Sequence, residues 1–204
     1  MNDSQNKSKS YWKNAQTTYL ASEDYYLSQE VGLTKLLGTI GTVDKAIDLG
    51  CGDGRFTIIA SKYCRTIEGL DINPSLIARA KSVAEHKKNL TFSVGLVEDF
   101  NADCKFDLIL CMGVVSALIQ EDLFNNFSAN LCRSLRSGGW LITKETLSLG
   151  EPYESEVGDY VAYYRNKDNY LNRLLQFGLT LKSVIELTST DKTTNSLFLF
   201  RNDL

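Results

Sequence analysis

The octet Asp48-Leu49-Gly50-Cys51-Gly52-Asp53-Gly54-Arg55 constrains this chain more than any other stretch. A strand-like run, Lys45 to Leu49, enters it and FTIIASKY leaves it at helical spacing, so the text reads strand, glycine turn, helix. In an open parallel sheet the ligand crevice lies beyond the carboxyl ends of the strands, and glycines in the first such turn let a ligand approach the backbone. A dinucleotide fingerprint, G-x-G-x-x-G, counted from Gly50 puts Arg55 at its third glycine. Asp48 at the strand end would repel a pyrophosphate and would suit an ammonium group. A nicotinamide oxidoreductase is therefore disfavoured, and a cationic amino-acid ligand fits better than a phosphorylated one.

The rest of the chain keeps the alternation. Residues 1–10 are polar and are expected to be a flexible, frayed terminus. From Tyr11 apolar residues fall at mixed helical spacing, which predicts one or two helices ending near Gly38. A second strand, Thr66 to Leu70, ends in Asp71, and Asn73-Pro74 then supplies an N-cap and a proline at the first helical position. Leu90 to Val94 and Phe106 to Cys111 are further strands, the latter nearly continuous in apolar residues, as a buried parallel strand is. A helix is expected over roughly 120–135, then a strand, Trp140 to Lys144, after Ser137-Gly138-Gly139. An irregular stretch from Ser148 leads to a helix near 167–177 closed by Gly178, and Leu179 to Leu187 and Ser196 to Arg201 are the last two strands. The prediction is one α/β domain over 11–204: a doubly wound sheet of about seven strands, mostly parallel, finished by a C-terminal antiparallel hairpin.

Charge narrows the function. With 22 Lys+Arg against 25 Asp+Glu the net charge is −3, which leaves no bulk positive field for a phosphate backbone, so bulk nucleic-acid binding is not expected. No apolar run approaches the ~20 residues of a membrane span, and MNDSQNKSKS lacks the apolar stretch of a secretion signal. A cytoplasmic protein without a membrane partner is expected. Cys51, Cys64, Cys104, Cys111 and Cys132 form no C-x-x-C pair and none lies near His86, the single histidine, so reduced, mostly buried thiols and no metal site are expected. His86, in the run His86-Lys87-Lys88, reads as a solvated residue at the far end of the sheet.

Four segments in order, AIDLGCGDGRF, IEGLDINPSLIARAK, FDLILCMGVV and LRSGGWLI, resemble the class I S-adenosylmethionine-dependent methyltransferases. That family's first motif reads Asp/Glu-x-Gly-x-Gly-x-Gly, and its fifth strand follows a Leu-Lys/Arg-x-Gly-Gly turn. The likeness runs from about Tyr11 to the final hairpin and implies a Rossmann-like fold, with S-adenosyl-L-methionine as cofactor and S-adenosyl-L-homocysteine as product. Carried over by position, Gly50, Cys51 and Gly52 would hold the methionine part, with Asp48 facing its ammonium directly or through water. Asp71 would accept from both ribose hydroxyls, two acceptor oxygens matching two vicinal donors. Ile72 would pack on the adenine, Val97 would give a backbone and packing contact, and Glu98 would be a polar neighbour. Leu96 stands where many relatives place an Asp that contacts the adenine amino group. Cys111, ending strand four, would turn its carbonyl to the methionine ammonium.

Methyl transfer from a sulfonium is an in-line displacement, so the protein must chiefly position and desolvate, and a base is needed only for a protonated acceptor. Ubiquinone-pathway relatives often carry Glu-His after strand four, where this chain reads Met112-Gly113-Val114-Val115-Ser116-Ala117. A base is expected instead from Glu145, Asp159 or Tyr164, within the segment 145–166 that in this family commonly covers the acceptor. Its aromatics and carboxylates suit a cationic amine, whereas Arg165 suits a carboxylate or phosphate. Candidate acceptor-binding residues are Tyr160, Tyr163 and Arg165, with Tyr11, Trp12 and Tyr19 from a helical lid over 11–40. A helix face of tyrosines packed on the sheet edge, with Arg165 bridging to Asp159, is the alternative. The expected function is methyl transfer to an amine or hydroxyl of a small-molecule acceptor. A non-catalytic cofactor-binding module and an amino-terminal peptide or protein N-methyltransferase stand beside it as alternatives.

Overall fold

The β4 run Phe106–Met112 is apolar on both sides because helices cover both faces of the sheet: Leu108, Ile109, Leu110 and Cys111 are all wholly buried. The structure is a computed structural model that describes residues 3–100 and 105–204. Its elements run α1 (Asp3–Asn14), α2 (Glu23–Ile40), β1 (Val43–Leu49), α3 (Arg55–Ala60), β2 (Cys64–Asp71), α4 (Pro74–Val83), β3 (Leu90–Val94), β4, α5 (Glu121–Ser134), β5 (Leu135–Ser148), β6 (Tyr153–Val157), β7 (Tyr160–Tyr164), α6 (Lys167–Gln176), β8 (Leu179–Ser189) and β9 (Thr193–Asn202). Seven strands form one sheet in the order β3-β2-β1-β4-β5-β9-β8. The first five are parallel, while β9 and β8 return antiparallel as the expected hairpin.

Period-2 alternation divides the core. Ile47, Leu49, Ile109, Cys111 and Leu141 pack with Phe124, Phe127 and Leu131 of α5 and Tyr170 and Leu174 of α6. Ala46, Leu108, Leu110 and Ile142 pack on the other face with Leu33, Leu36 and Leu37 of α2 and Ile77 and Ala80 of α4. Parallel strands start at one end, so their carboxyl ends form a common edge, and the order reverses between β1 and β4. Among the described residues no helix is long and apolar enough to cross a membrane. Cys51, Cys64, Cys111 and Cys132 are free and buried, His86 is exposed, and Cys104 lies outside the described residues.

Two departures from the sequence reading matter for the site. Residues 3–10 are not a frayed end: they belong to α1, whose buried Gln5 and Ser8 bond to the loop after β4. Polarity is what docks this helix, because the loop has backbone groups to satisfy. The stretch after Ser148, expected to be irregular, forms the β6–β7 hairpin. In addition, β5 continues through its glycine turn with a shifted register against β4, and it extends to Ser148.

Candidate active site at the carboxyl edge of the sheet

The glycine loop hangs on β2: the amides of Gly50 and Cys51 both donate to the Leu70 carbonyl, at 2.8 and 3.0 Å. Gly50 and Gly52 have φ of +73° and +55°. A Cβ would strike Val114 at the first and Thr18 at the second, so both the dihedral and the packing require glycine. Asp71 closes the arrangement. Its Oδ2 accepts from the Gly52 amide and its Oδ1 from the Asn73 amide, each at 2.8 Å, leaving further lone pairs on both oxygens. Burial raises its pKa and these two amides oppose that rise.

Asp48 lies behind the loop rather than on the cavity wall. Its Oδ2 accepts from the Thr57 hydroxyl at 2.6 Å, and its Oδ1 is buried without a donor among the described residues. Burial pushes its carboxyl up to about 6, against the Thr57 hydrogen bond. Cys51, Gly52 and Cys111 also stand behind the wall, and burial raises both thiols, so neither is a reactive thiolate.

A cavity of about 760 Å³ opens above this edge, within the usual range for a small-molecule site. Gly50, Asp71, Ile72, Leu96, Val97 and Glu98 line one half. Its cover comes from the N-terminus. Asn73 uses Oδ1 to cap α4 and Nδ2 to donate to the carbonyls of Trp12 and Ala15, both at 2.9 Å, which straps residues 15–22 over the glycine loop. The Tyr19 hydroxyl reaches Asp53 at 3.3 Å, Lys9 pairs with Glu98 at 2.9 Å, and Arg55 ties the loop to Glu23 and Glu30 of α2. Tyr11 and Trp12 pack edge-on against Tyr160, with centroids 5.2 and 5.8 Å apart, so α1 and β7 form one roof.

Strand alternation decides which candidates reach the other half. Along β7 and the residue that follows it, Tyr160 and Tyr164 face the cavity, while Tyr163 and Arg165 turn to the opposite side. The expectation that Tyr163 and Arg165 bind acceptor is thereby corrected. Buried Arg165 donates to the carbonyls of Val115 and Leu118 at 2.9 and 2.6 Å and pairs with Glu121 at 2.9 Å, not with Asp159. It holds the loop after β4. Glu145 does the same from below: it is buried away from the cavity and its Oε1 accepts from the Val115 amide at 3.1 Å. Asp159 is exposed at the β6–β7 turn. Of the three expected catalytic groups, Tyr164 alone lines the cavity.

The neighbours of Glu145 take its place. Lys144 and Thr146 face the cavity, together with Tyr25 and Gln29 of α2 and Asn195 of β9. Period-2 alternation along β5 could have selected Lys144 and Thr146 once the strand was extended past Lys144. No local signal marks Gln5, Tyr25 or Gln29, whose roles depend on which element packs where.

Residues 46–139 match the family model for a methyltransferase domain. A probable methyltransferase, ltbC, from Aspergillus luteorubrus is 30% identical over 124 residues, covering 55% of this chain and 43% of the relative. Nodulation protein S from Sinorhizobium fredii is 26% identical over 102 residues, covering 50% and 47%. The chain thus spans about half the length of these curated relatives, or less. The crystal structure of the N-methyltransferase NodS from Bradyrhizobium japonicum with S-adenosyl-L-homocysteine superposes over all of both chains with a TM-score of 0.77 at 18% identity, which shows a shared fold. The strand end, glycine loop and helix that build this edge thus fall within the span that matches a methyltransferase domain, and the chain is similar there to the S-adenosylmethionine-dependent methyltransferases whose fold it shares.

Proposed function

We propose that this chain binds S-adenosylmethionine across the carboxyl edge of its sheet and moves the methyl group to an amine or hydroxyl of a small-molecule acceptor. The observation that carries the reading is Asp71, a buried carboxylate on the cavity wall with lone pairs to spare after its two amide bonds. Those lone pairs suit two ribose hydroxyls. The backbone of Gly50, Cys51 and Gly52 would take the amino-acid tail, and the donorless Oδ1 of Asp48 behind the loop supplies negative potential for its ammonium. Ile72 and Val97 would pack on the adenine, with Glu98 held beside them by Lys9.

When bound, the sulfonium supplies a methyl group activated for displacement: the acceptor–carbon bond forms as the carbon–sulfur bond breaks, and the electron pair goes to sulfur. The chain's own residues hold the acceptor in line and exclude water, a task for the roof of Tyr11, Trp12 and Tyr160 over the chamber. Tyr164 stands at that chamber as a positioning or proton-handling hydroxyl.

Calorimetry with S-adenosylhomocysteine tests the reading. Wild-type protein should bind it, and Asp71→Ala should weaken binding about 100-fold or more through loss of charge-assisted hydrogen bonds. Tyr164→Phe should bind it unchanged and lower turnover. At about 100 times Kd the ligand adds ~2.7 kcal/mol, roughly 5–10 °C in Tm for a chain of this size. Stabilisation by NADH and not by S-adenosylhomocysteine, or equal affinity in Asp71→Ala, would overturn it.

A further inference from the structure

The acceptor half of the cavity is short of negative charge. The carboxylates that the sequence places in this segment leave it: Glu145 faces the other side of the sheet, Asp159 is exposed, and Glu154 and Glu156 bond outward to Ser4 and Lys7. The lining acids Asp53, Asp71 and Glu98 lie on the glycine-loop side. What enters the acceptor half is Lys144, from the carboxyl end of β5.

Lys144 makes no ion pair among the described residues. Its Nζ lies over the Tyr25 ring, 5.4 Å from the centroid, beside the backbone of Gly113. Burial lowers its pKa, opposed by Glu145 behind the strand. Two further donors stand without partners at the same place. Tyr25 and Gln29, on successive turns of α2, line the cavity, and the Tyr25 hydroxyl and the Gln29 Nε2 are buried with no acceptor among the described residues. An ammonium, a phenol and an amide in one ring-lined chamber are three donors in want of acceptor oxygens. Unspent buried donors are costly, and a carboxylate satisfies several of them at once.

We propose that Lys144, Tyr25 and Gln29 form an anion subsite, and that the methyl acceptor is a small organic anion with a flat apolar body whose carboxylate rests there. The inference builds on the proposed methyl transfer and names the acceptor's class. It reverses the preference for a cationic amine that the sequence composition of 145–166 suggests. The cofactor's own carboxylate is a poorer occupant by position: Lys144 pairs with Met112 of β4, which itself pairs with β1, so its root lies two strand spacings, about 10 Å, from the glycine loop.

The test uses three probes of one shape and different charge: benzoate, benzyl alcohol and benzylamine. Each is titrated into the full chain, alone and saturated with S-adenosylhomocysteine, and followed by ligand-observed NMR and Trp12 fluorescence. Benzoate should bind with Kd of about 1–10 mM, the range set by so few atoms. Benzyl alcohol should bind about tenfold more weakly and benzylamine least. Lys144→Met should abolish the order and weaken benzoate tenfold or more, Lys144→Arg should keep it, and Tyr25→Phe should weaken benzoate several-fold. Thermal unfolding of each variant establishes that it is folded.

Benzylamine binding as tightly as benzoate, an unchanged order in Lys144→Met, or no benzoate binding at about 20 mM would overturn the proposal. So would expulsion of benzoate by S-adenosylhomocysteine with a tenfold loss of that ligand's affinity in Lys144→Met, because Lys144 would then serve the cofactor. Failure of wild-type protein to bind S-adenosylhomocysteine, with the benzoate order intact, would count against the methyltransferase reading and leave the anion subsite standing.

Discussion

Asp48 keeps its carboxylate under the glycine loop with one hydrogen bond among the described residues, from Thr57, and the consequence can be measured as a dependence of stability on pH. Burial raises its folded pKa to about 6, against ~3.9 in an unfolded chain. Between those values the folded state binds more protons than the unfolded state, so stability falls as pH rises through the window. The cost is absent below about pH 4, complete above about pH 6, and on the order of 2–3 kcal/mol. Asp48→Asn has no such titration. The Tm of the variant minus that of wild type should therefore grow between pH 4 and 7 by roughly 5–10 °C. Parallel curves would show that Asp48 ionises without cost. The same variant should bind S-adenosylhomocysteine less tightly at pH 7, since it lacks the negative potential behind the loop. A costly carboxylate at this position makes sense where a cation is to be held in front of it.

Elements meet at the site through shared residues, and Asn73 shows how closely. One side chain caps α4 and straps the segment between α1 and α2, while its own amide donates to Asp71. Asn73→Asp keeps a capping oxygen but replaces the Nδ2 donor with an oxygen facing the Trp12 and Ala15 carbonyls. It should cost about 1–2 kcal/mol in global stability and yet expose residues 1–22 to limited proteolysis, with S-adenosylhomocysteine affinity several-fold lower. Unaltered cleavage would mean that the strap is held by its other contacts. The pairing of strap and helix cap was not legible in the sequence, where Asn73-Pro74 announces the cap alone. What was legible follows from local rules: the glycine loop, the carboxylates ending β1 and β2, and the apolar run of β4 have local periodicity or turn chemistry. Placement of α1 and of the β6–β7 hairpin depends on polar groups far away in sequence. Gln5 satisfies the amide of Ile119 and the carbonyl of Ala117, and a run of polar residues gives no hint of such a partner. Glu145 failed as a cavity group for a simpler reason, since adjacent residues on a strand face opposite ways and its neighbour Lys144 took the inward position.

At the scale of the molecule, the sheet with its helices and the roof over its edge are built by different means. The two apolar clusters of the core include no residue of α1 or of β6. The roof is held by Gln5 and Ser8 on the loop after β4, by ring contacts with Tyr160, and by exposed pairs such as Lys7 with Glu156. Exposed pairs of that kind are screened by solvent and add little to stability. Such a layer should open locally, well below the free energy of global unfolding. A cofactor seated between Asp71 and the strap would bind the closed form and be released by the open one, so linkage makes it a clamp on the roof. Hydrogen exchange reads this directly. Without ligand, the amides of 5–14 and 153–164 should exchange far faster than those of β1 and β4. At about 100 times Kd of S-adenosylhomocysteine their exchange should slow by about two orders of magnitude, the same factor by which the ligand disfavours opening. Roof amides that keep their rates while the ligand is bound would mean that the cavity fills without closure. Under the proposed methyl transfer, water exclusion would then have to come from the acceptor itself.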